Sequence, residues 1–202
     1  MKKRYLLIML SGLFMAACAS TGGGGYQKQV IERIPNVKTP DWVESTAETT
    51  ETKGYYYYRG SSEGYDDLEA AKRAAAADAR TRIAEYVKSE VTVDFGNALE
   101  AQKKSGSGAH LQDVFKSVVD KITLSGVTIK ESYAEHILEK NHGQEEVYYR
   151  AYIKAAVSKE DVERLRANAF GETKRRVQAE KNKSAKELLE KIEQKYYQQS
   201  ND

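Results

Sequence analysis

The chain has 202 residues, of which 32 are Lys or Arg and 30 are Asp or Glu, giving a formal net charge of +2 at pH 7. Three of the basic residues stand at positions 2–4, and the first 18 residues contain no acidic residue. The remaining residues, 19–202, include 29 basic and 30 acidic residues. A nucleic-acid-binding domain carries a surplus of positive charge, so the composition predicts no nucleic-acid partner.

The N-terminus has the pattern of a secretory signal peptide. Basic residues 2–4 precede a short apolar stretch at 6–15, and two alanines and Cys18 follow it. The apolar stretch is shorter than the roughly 20 residues that a membrane-spanning helix needs. The residues before Cys18 resemble a bacterial lipobox, with Met15 where leucine is usual. That resemblance implies cleavage before Cys18 and attachment of a diacylglycerol to its thiol; the alternative is an ordinary signal peptide followed by an unrelated cysteine.

Cys18 is the only cysteine of the chain, so its acylation would leave no thiol for a disulfide or a metal site. Two or three acyl chains anchor a protein durably, because each buried CH₂ group contributes about 0.8 kcal/mol. We therefore expect a protein that is lipid-anchored at the outer membrane through Cys18. The sequence leaves open which side of that membrane it faces.

Composition divides the chain into four predicted segments. They are a signal peptide at 1–18, a flexible tether and entry segment at 19–50, an α+β domain at 51–158 and a charged C-terminal helix at 159–202. The tether begins with ASTGGGG, a composition typical of flexible linkers.

The first elements of the predicted domain are a strand and a long helix. The GYYYYRG stretch at 54–60 is short, aromatic and bounded by glycines, which predicts a strand whose tyrosines alternate between two faces. Apolar residues at spacings of three and four then predict one continuous helix face, at Leu68, Ala71, Ala75, Ala79, Ile83 and Tyr86. The alternation in EVTVDF at 90–95 predicts a second strand, and residues 110–122 are predicted to form a second helix.

Two long strands end the predicted domain, at 125–140 and 145–158, joined by an NHGQ turn in which Asn141 and Gly143 tolerate positive φ. In the last strand an apolar set from Val147 to Val157 is predicted to lie under the helices. The alternating set, Tyr148, Arg150, Tyr152 and Lys154, is predicted to lie on an open face. The predicted fold is α+β: a small, mostly antiparallel sheet in the order strand–helix–strand–helix–strand–strand, with two helices on one face and a long C-terminal helix.

These motifs resemble those of the Lpp-twenty family of bacterial lipoproteins. The resemblance covers residues 38–158 and consists of the PDWV entry, the tyrosine strand, the EAAKRAAAADARTRIAEYV helix, the LSGVTI strand and the VYYRAYIKA strand. It implies an α+β domain shared with flagellar outer-ring assembly proteins, and it implies no catalytic residues. Many members of this family have no assigned activity, and some are linked to outer-membrane or flagellar structures, so the resemblance implies a possible role of that kind.

The sequence brings together no set of residues typical of an active site. HExxH and SxxK are absent, and His110, His136 and His142 fall in three different predicted elements. We therefore expect no catalytic activity, no cofactor and no metal site.

The predicted open face supplies the binding hypothesis. Because Tyr and Arg are enriched at interaction hot spots, Tyr148, Arg150, Tyr152 and Lys154 are candidate contacts for an envelope or flagellar protein. Two alternatives remain open: the tyrosines only build the sheet, or the aromatic face stacks on a small ligand.

The C-terminal segment is predicted to begin at a capped helix end, because Ser158 is followed three residues later by Asp161. Gly171 marks a predicted bend, and apolar residues are sparse beyond it. This helix is either solvated or a surface for a partner or a second copy of the chain, so a homo-oligomer is a further hypothesis.

Overall fold

The structure is a computed structural model that describes residues 26–45, 49–52, 54–101 and 107–198. Cys18 and the predicted leader lie outside the described residues. Among the described helices, none has the length and apolar character to cross a bilayer.

The described chain has the predicted α+β class, with one five-stranded sheet and five helices. The strands are β1 (Gln27–Ile34), β2 (Thr49–Thr52), β3 (Tyr55–Tyr65), β4 (Thr128–Asn141) and β5 (Gln144–Ser158). The helices are α1 (Asp41–Glu44), α2 (Leu68–Glu100), α3 (Gly108–Lys121), α4 (Lys159–Ala179) and α5 (Lys183–Gln198). The sheet order is β1-β4-β5-β3-β2, and every pair of neighbours is antiparallel.

Residues 90–95 are helical, so the predicted second strand is wrong. They belong to α2, which runs without a break over 33 residues. Val91 and Phe95 continue the buried stripe of Ile83 and Val87 at intervals of four, and all four side chains are fully buried. The β-branched residues also fit an alternating pattern, but packing against the other helices decides in favour of the helical period.

The C-terminal segment forms two helices, where the sequence predicted one long helix with a bend at Gly171. α4 continues through Gly171 to Ala179, and a separate α5 begins at Lys183. The predicted cap is present, since the Ser158 hydroxyl accepts a hydrogen bond from the Asp161 backbone N–H at 3.0 Å. α5 returns along the bundle and places Ile192 and Tyr196 in the core.

The β4–β5 hairpin closes with the predicted turn, but positive φ occurs at His142 and Gly143 and not at Asn141. His142 and Gly143 are its two central residues, and their φ angles of 48° and 85° fit a type I′ turn, in which both central residues have positive φ. The resulting register places Ala151, Ile153, Ala155 and Val157 in the main core, as predicted, whereas Val147, near the turn, is 45% exposed and the prediction for it is wrong. We call the side of the sheet that packs against the helices the helix face, and the opposite side the second face.

α2 lies unusually close to β3 at Gly60. A Cβ atom at Gly60 would lie 2.2 Å from the Ala75 carbonyl oxygen and 2.4 Å from the Ala79 nitrogen. Ala75 and Ala79 are themselves fully buried. The small residues of α2 and the glycine of β3 together allow this close contact between helix and strand.

Four buried rings form the centre of the helical part. Phe95 of α2 stacks on Phe115 of α3, with ring centroids 3.9 Å apart. Tyr196 of α5 stacks on Phe170 of α4 at 5.2 Å and meets Phe95 edge-on at 5.7 Å. The C-terminal helices are therefore part of the same core as the sheet.

The chain crosses the second face between β1 and β2. These strands follow one another in the sequence, yet they lie at opposite edges of the sheet. The connection begins at Pro35 and includes α1, and we call residues 35–45 the covering segment. The predicted open face is thus partly covered by the protein's own chain.

A partly covered binding face

The four candidate contact residues lie together on the second face, but most of their polar atoms are engaged within the chain. Tyr148 is only 4% exposed. Tyr152 pairs across the strands with Tyr133, and Arg150 pairs with Glu135. The expectation that this part of the face is open is therefore wrong, because the sequence does not reveal what lies across it.

Four strands contribute to a polar cluster at one end of this face, near the hairpin. The Tyr148 hydroxyl lies 2.8 Å from Glu63 Oε1 and 2.8 Å from Glu139 Oε2. Lys28 donates to the same Glu63 oxygen, and Arg150 Nη2 donates to it at 3.0 Å. We call Lys28, Glu63, Glu139, Tyr148 and Arg150 the polar cluster; it links β1 to β3 across the whole width between them.

The polar cluster changes the acidity of its members. Burial alone would raise the pKa of Glu63, but hydrogen bonds from Lys28 and Tyr148 and the charge of Arg150 lower it to about 2. Burial, together with the carboxylates of Glu139 and Glu63, raises the pKa of Tyr148 to about 12. Tyr148 therefore keeps its proton and Glu63 keeps its charge at neutral pH.

A second set of hydrogen bonds holds the centre of the face. Arg150 Nη1 donates to the Tyr152 hydroxyl at 3.1 Å and lies 3.9 Å from Glu135 Oε2. The Tyr133 hydroxyl donates to Glu135 Oε1 at 3.1 Å and lies 3.2 Å from the Thr39 hydroxyl of the covering segment. Burial raises the pKa of the Tyr133 hydroxyl above its usual value. These contacts bind the covering segment to the sheet.

The covering segment is fastened at its other end by Arg59 of β3. Arg59 Nη1 donates to the Ser45 carbonyl oxygen at 2.8 Å and also to the Val43 carbonyl oxygen. Val43 itself is buried. Arg59 thus satisfies backbone acceptors that an irregular segment would otherwise leave without partners.

Beyond Arg59 the tyrosine run meets lysines on the second face; Tyr55 and Lys130 are exposed there, whereas Tyr57 and Lys154 are half-buried. Tyr55 is 37% exposed, and its ring centroid lies 6.2 Å from that of Tyr57. Lys130 Nζ lies 5.0 Å above the Tyr55 ring, and Lys154 Nζ lies 5.2 Å above the Tyr57 ring. We call Tyr55, Tyr57, Lys130 and Lys154 the tyrosine–lysine patch.

The other half of the tyrosine run has a structural role. Tyr56 and Tyr58 lie on the helix face, where their ring centroids are 6.1 Å and 5.3 Å from that of Tyr86 in α2. Because side chains alternate along β3, two of the four tyrosine rings pack against α2 and the other two belong to the tyrosine–lysine patch.

The three histidines do not come together. His136 stacks on Tyr149 with centroids 4.3 Å apart, His110 Nε2 lies 2.7 Å from Glu180 Oε2, and His142 is in the hairpin turn. Among the residues that the structure describes, no group of three or more His, Cys, Asp and Glu side chains could hold a metal ion.

No protein-family model, no curated protein and no solved structure matches this chain. The resemblance to the Lpp-twenty family therefore stays a prediction, and the proposals below depend on the geometry of the chain itself.

Proposed function

We propose that the protein is a lipid-anchored envelope protein with a non-catalytic binding or scaffolding role, and that the tyrosine–lysine patch is its contact surface for a protein partner. The observation that carries this proposal is the patch itself. Two tyrosine rings and two lysines lie on the second face beyond Arg59, and two of the four side chains, Tyr55 and Lys130, are exposed.

The patch has the properties of a protein contact surface. Its rings stand on paired strands of a sheet, so a partner would not have to order them on binding. Tyrosine contributes large contact areas at low entropic cost, and lysines at the rim attract acidic groups. Lys154 Nζ donates a hydrogen bond to Glu131 Oε1 at 2.8 Å. An acidic side chain of a partner would take the place of the Glu131 carboxylate in this contact.

Attachment at Cys18 would increase the effect of weak contacts. A tethered domain meets other membrane-bound proteins at a raised effective concentration. The patch is small, so its contacts alone would be weak, and the raised effective concentration would compensate for this. This favours a role in a membrane-bound assembly, of the outer-membrane or flagellar kind that the family resemblance implies. Tyr148 is buried and Arg150 and Tyr152 are half-buried, and their hydrogen bonds would hold the face rigid beside that contact.

The lipid attachment is tested by Cys18→Ala. The variant should lose acyl-chain labelling and either leave the membrane fraction or accumulate as a precursor, because the chain has no other cysteine. Membrane retention equal to that of the wild type, with no acyl label on the wild type, would refute the attachment.

The contact surface is tested by in-cell crosslinking of a Tyr55→Ala, Tyr57→Ala double variant. The yield of crosslinked protein partners should fall, whereas the melting temperature should change little because the rings are not part of the main core. Tyr65→Ala is the matched control, since Tyr65 lies on the same strand and is also 37% exposed. An unchanged yield in the double variant would refute the patch, and a small chromophore released from the wild type alone would assign it to a ligand instead.

A further inference from the structure

The N-terminal edge of the sheet carries exposed apolar side chains and unpaired basic side chains in one short segment. Tyr26, Ile31 and Val37 are 59%, 47% and 48% exposed. They are three of the large apolar residues that the structure leaves exposed, and they fall within twelve consecutive residues. We call residues 26–38 the N-terminal edge; its last four residues are also the first four of the covering segment.

The charge of this edge is positive, unlike that of the chain that follows the leader. Residues 26–38 include Lys28, Arg33 and Lys38 but only one acidic residue, Glu32. Lys28 belongs to the polar cluster. Arg33 and Lys38 are exposed, and neither forms an ion pair with another described residue. Two cations at this edge are thus available to a partner.

From these observations we propose that the N-terminal edge docks on an anionic lipid surface. Exposed Ile31 and Val37 can enter the interface shallowly, where apolar burial is favourable. A tyrosine such as Tyr26 suits the headgroup level, because its ring is apolar and its hydroxyl is polar. Arg33 and Lys38 can bind lipid phosphates, with each cation near such a surface contributing about 1 kcal/mol.

The position of the edge in the chain favours the membrane. This step rests on the proposed attachment at Cys18, which is eight residues before Tyr26. A flexible chain of that length spans about 15 Å. The described structure therefore begins close to the bilayer, and a weak docking contact would suffice because the tether has already removed most of the cost of association.

A second copy of the chain is a less suitable occupant of this edge. β1 is an edge strand, so another strand could in principle pair with it. However, its register with β4 is broken by an irregularity between Val30 and Glu32. Bulges and charged side chains at a sheet edge are features that oppose pairing with a further strand.

The test uses the protein extracted from membranes and reconstituted in lipid vesicles. A fluorescent label is attached to the N-terminal edge. Ile31→Cys carries the label, and Val93→Cys is the control, since Val93 is 55% exposed but lies in the second half of α2. Spin-labelled lipids in phosphatidylglycerol vesicles should quench the label at 31 more strongly than the label at 93. Arg33→Gln and Lys38→Gln should each lower the equilibrium constant for docking about fivefold.

The outcomes separate this inference from the proposed function. Equal quenching at 31 and 93, with one label per chain, would refute docking and leave lipid attachment intact, because an acylated Cys18 takes no label. Two labels per chain would show a free Cys18 and refute the attachment. Shielding of the label at 31 without vesicles, together with a dimer in sedimentation, would assign the edge to a second copy of the chain and overturn the membrane proposal.

Discussion

The close contact between α2 and β3 predicts that Gly60→Ala is strongly destabilising. The added Cβ would lie 2.2 Å from the Ala75 carbonyl oxygen and 2.4 Å from the Ala79 nitrogen. Both are backbone atoms, so no side-chain rotation can relieve the overlap. Since favourable contacts begin near about 3.5 Å, α2 would have to move away from β3 by about 1 Å.

The cost follows from what that movement loosens. A gap of about 0.5–1 Å already loses a quarter to a half of a van der Waals contact, and Ala71, Ile83 and Val87 of α2 are all fully buried. Overpacking of a core costs about 1–3 kcal/mol, and we expect the upper end here. For a chain of this size, about 3 kcal/mol corresponds to a fall in Tm of roughly 6–12 °C.

Thermal melting monitored by circular dichroism tests this prediction, and Gly171→Ala is the control. A Cβ at Gly171 meets no atom within 4 Å, and Gly171 lies inside α4. Alanine there should stabilise the protein by about 0.5–1 kcal/mol, because glycine is a poor helix former. If Gly60→Ala melted at or above the wild-type temperature, the close approach of α2 to β3 would be refuted.

Three further predictions concern the polar cluster and the helical core. The pKa of Glu63 is lowered from 4.5 to about 2 in the folded protein. The charged carboxylate therefore stabilises the fold fully at pH values above 4.5, and this contribution is lost as the pH falls towards 2. Glu63→Gln should therefore lower Tm at pH 7, and the difference from the wild type should shrink in melts at acidic pH; a constant difference would contradict this. Tyr196→Phe should leave Tm unchanged or raise it, because the hydroxyl is buried with no hydrogen-bond partner among the described residues; a clear loss would indicate a partner. Deleting residues 183–202 should increase the binding of a hydrophobic dye, since it removes Tyr196 from contact with Phe95 and Phe115; unchanged binding would show that α5 is not part of the core.

The parts of the fold that the sequence predicted correctly are those decided by local chemistry. Asn141, His142 and Gly143 form the expected hairpin turn. The alternation of small and polar residues along β5 gave the correct core face, because a strand with one buried face tolerates no shift of register by one residue.

The parts that were wrong depend on contacts between distant residues. EVTVDF at 90–95 satisfies both a strand and a helix period, and only its packing against α3 and α5 selects the helix. Residues 27–34 have few apolar residues and became β1 because β4 offers them an edge. Ser158 and Asp161 correctly marked the start of α4, whereas the turn after Ala179 has no glycine or proline to announce it.

The candidate site was predicted only in part, for a reason of topology. The expected set of Tyr148, Arg150, Tyr152 and Lys154 does share one face. Their partners Lys28 and Glu63 could not be recognised from the sequence. Lys28 and Glu63 are 35 positions apart, and their strands, β1 and β3, are not neighbours in the sheet. The order of the strands is what brings them together.

That strand order also explains why the exposed tyrosines lie where they do. Since β1 and β2 occupy opposite edges, the chain between them must cross one face of the sheet, and the helices leave only the second face for the crossing. Thr39, which contacts the Tyr133 hydroxyl, and the carbonyl groups that accept from Arg59 hold this crossing against the sheet. The tyrosine–lysine patch lies beyond Arg59 of β3, and the N-terminal edge includes β1 at the opposite side of the sheet. A protein held at the membrane by its N-terminus could therefore contact lipid through β1 while the patch, on the far side of the crossing, stays available to a partner.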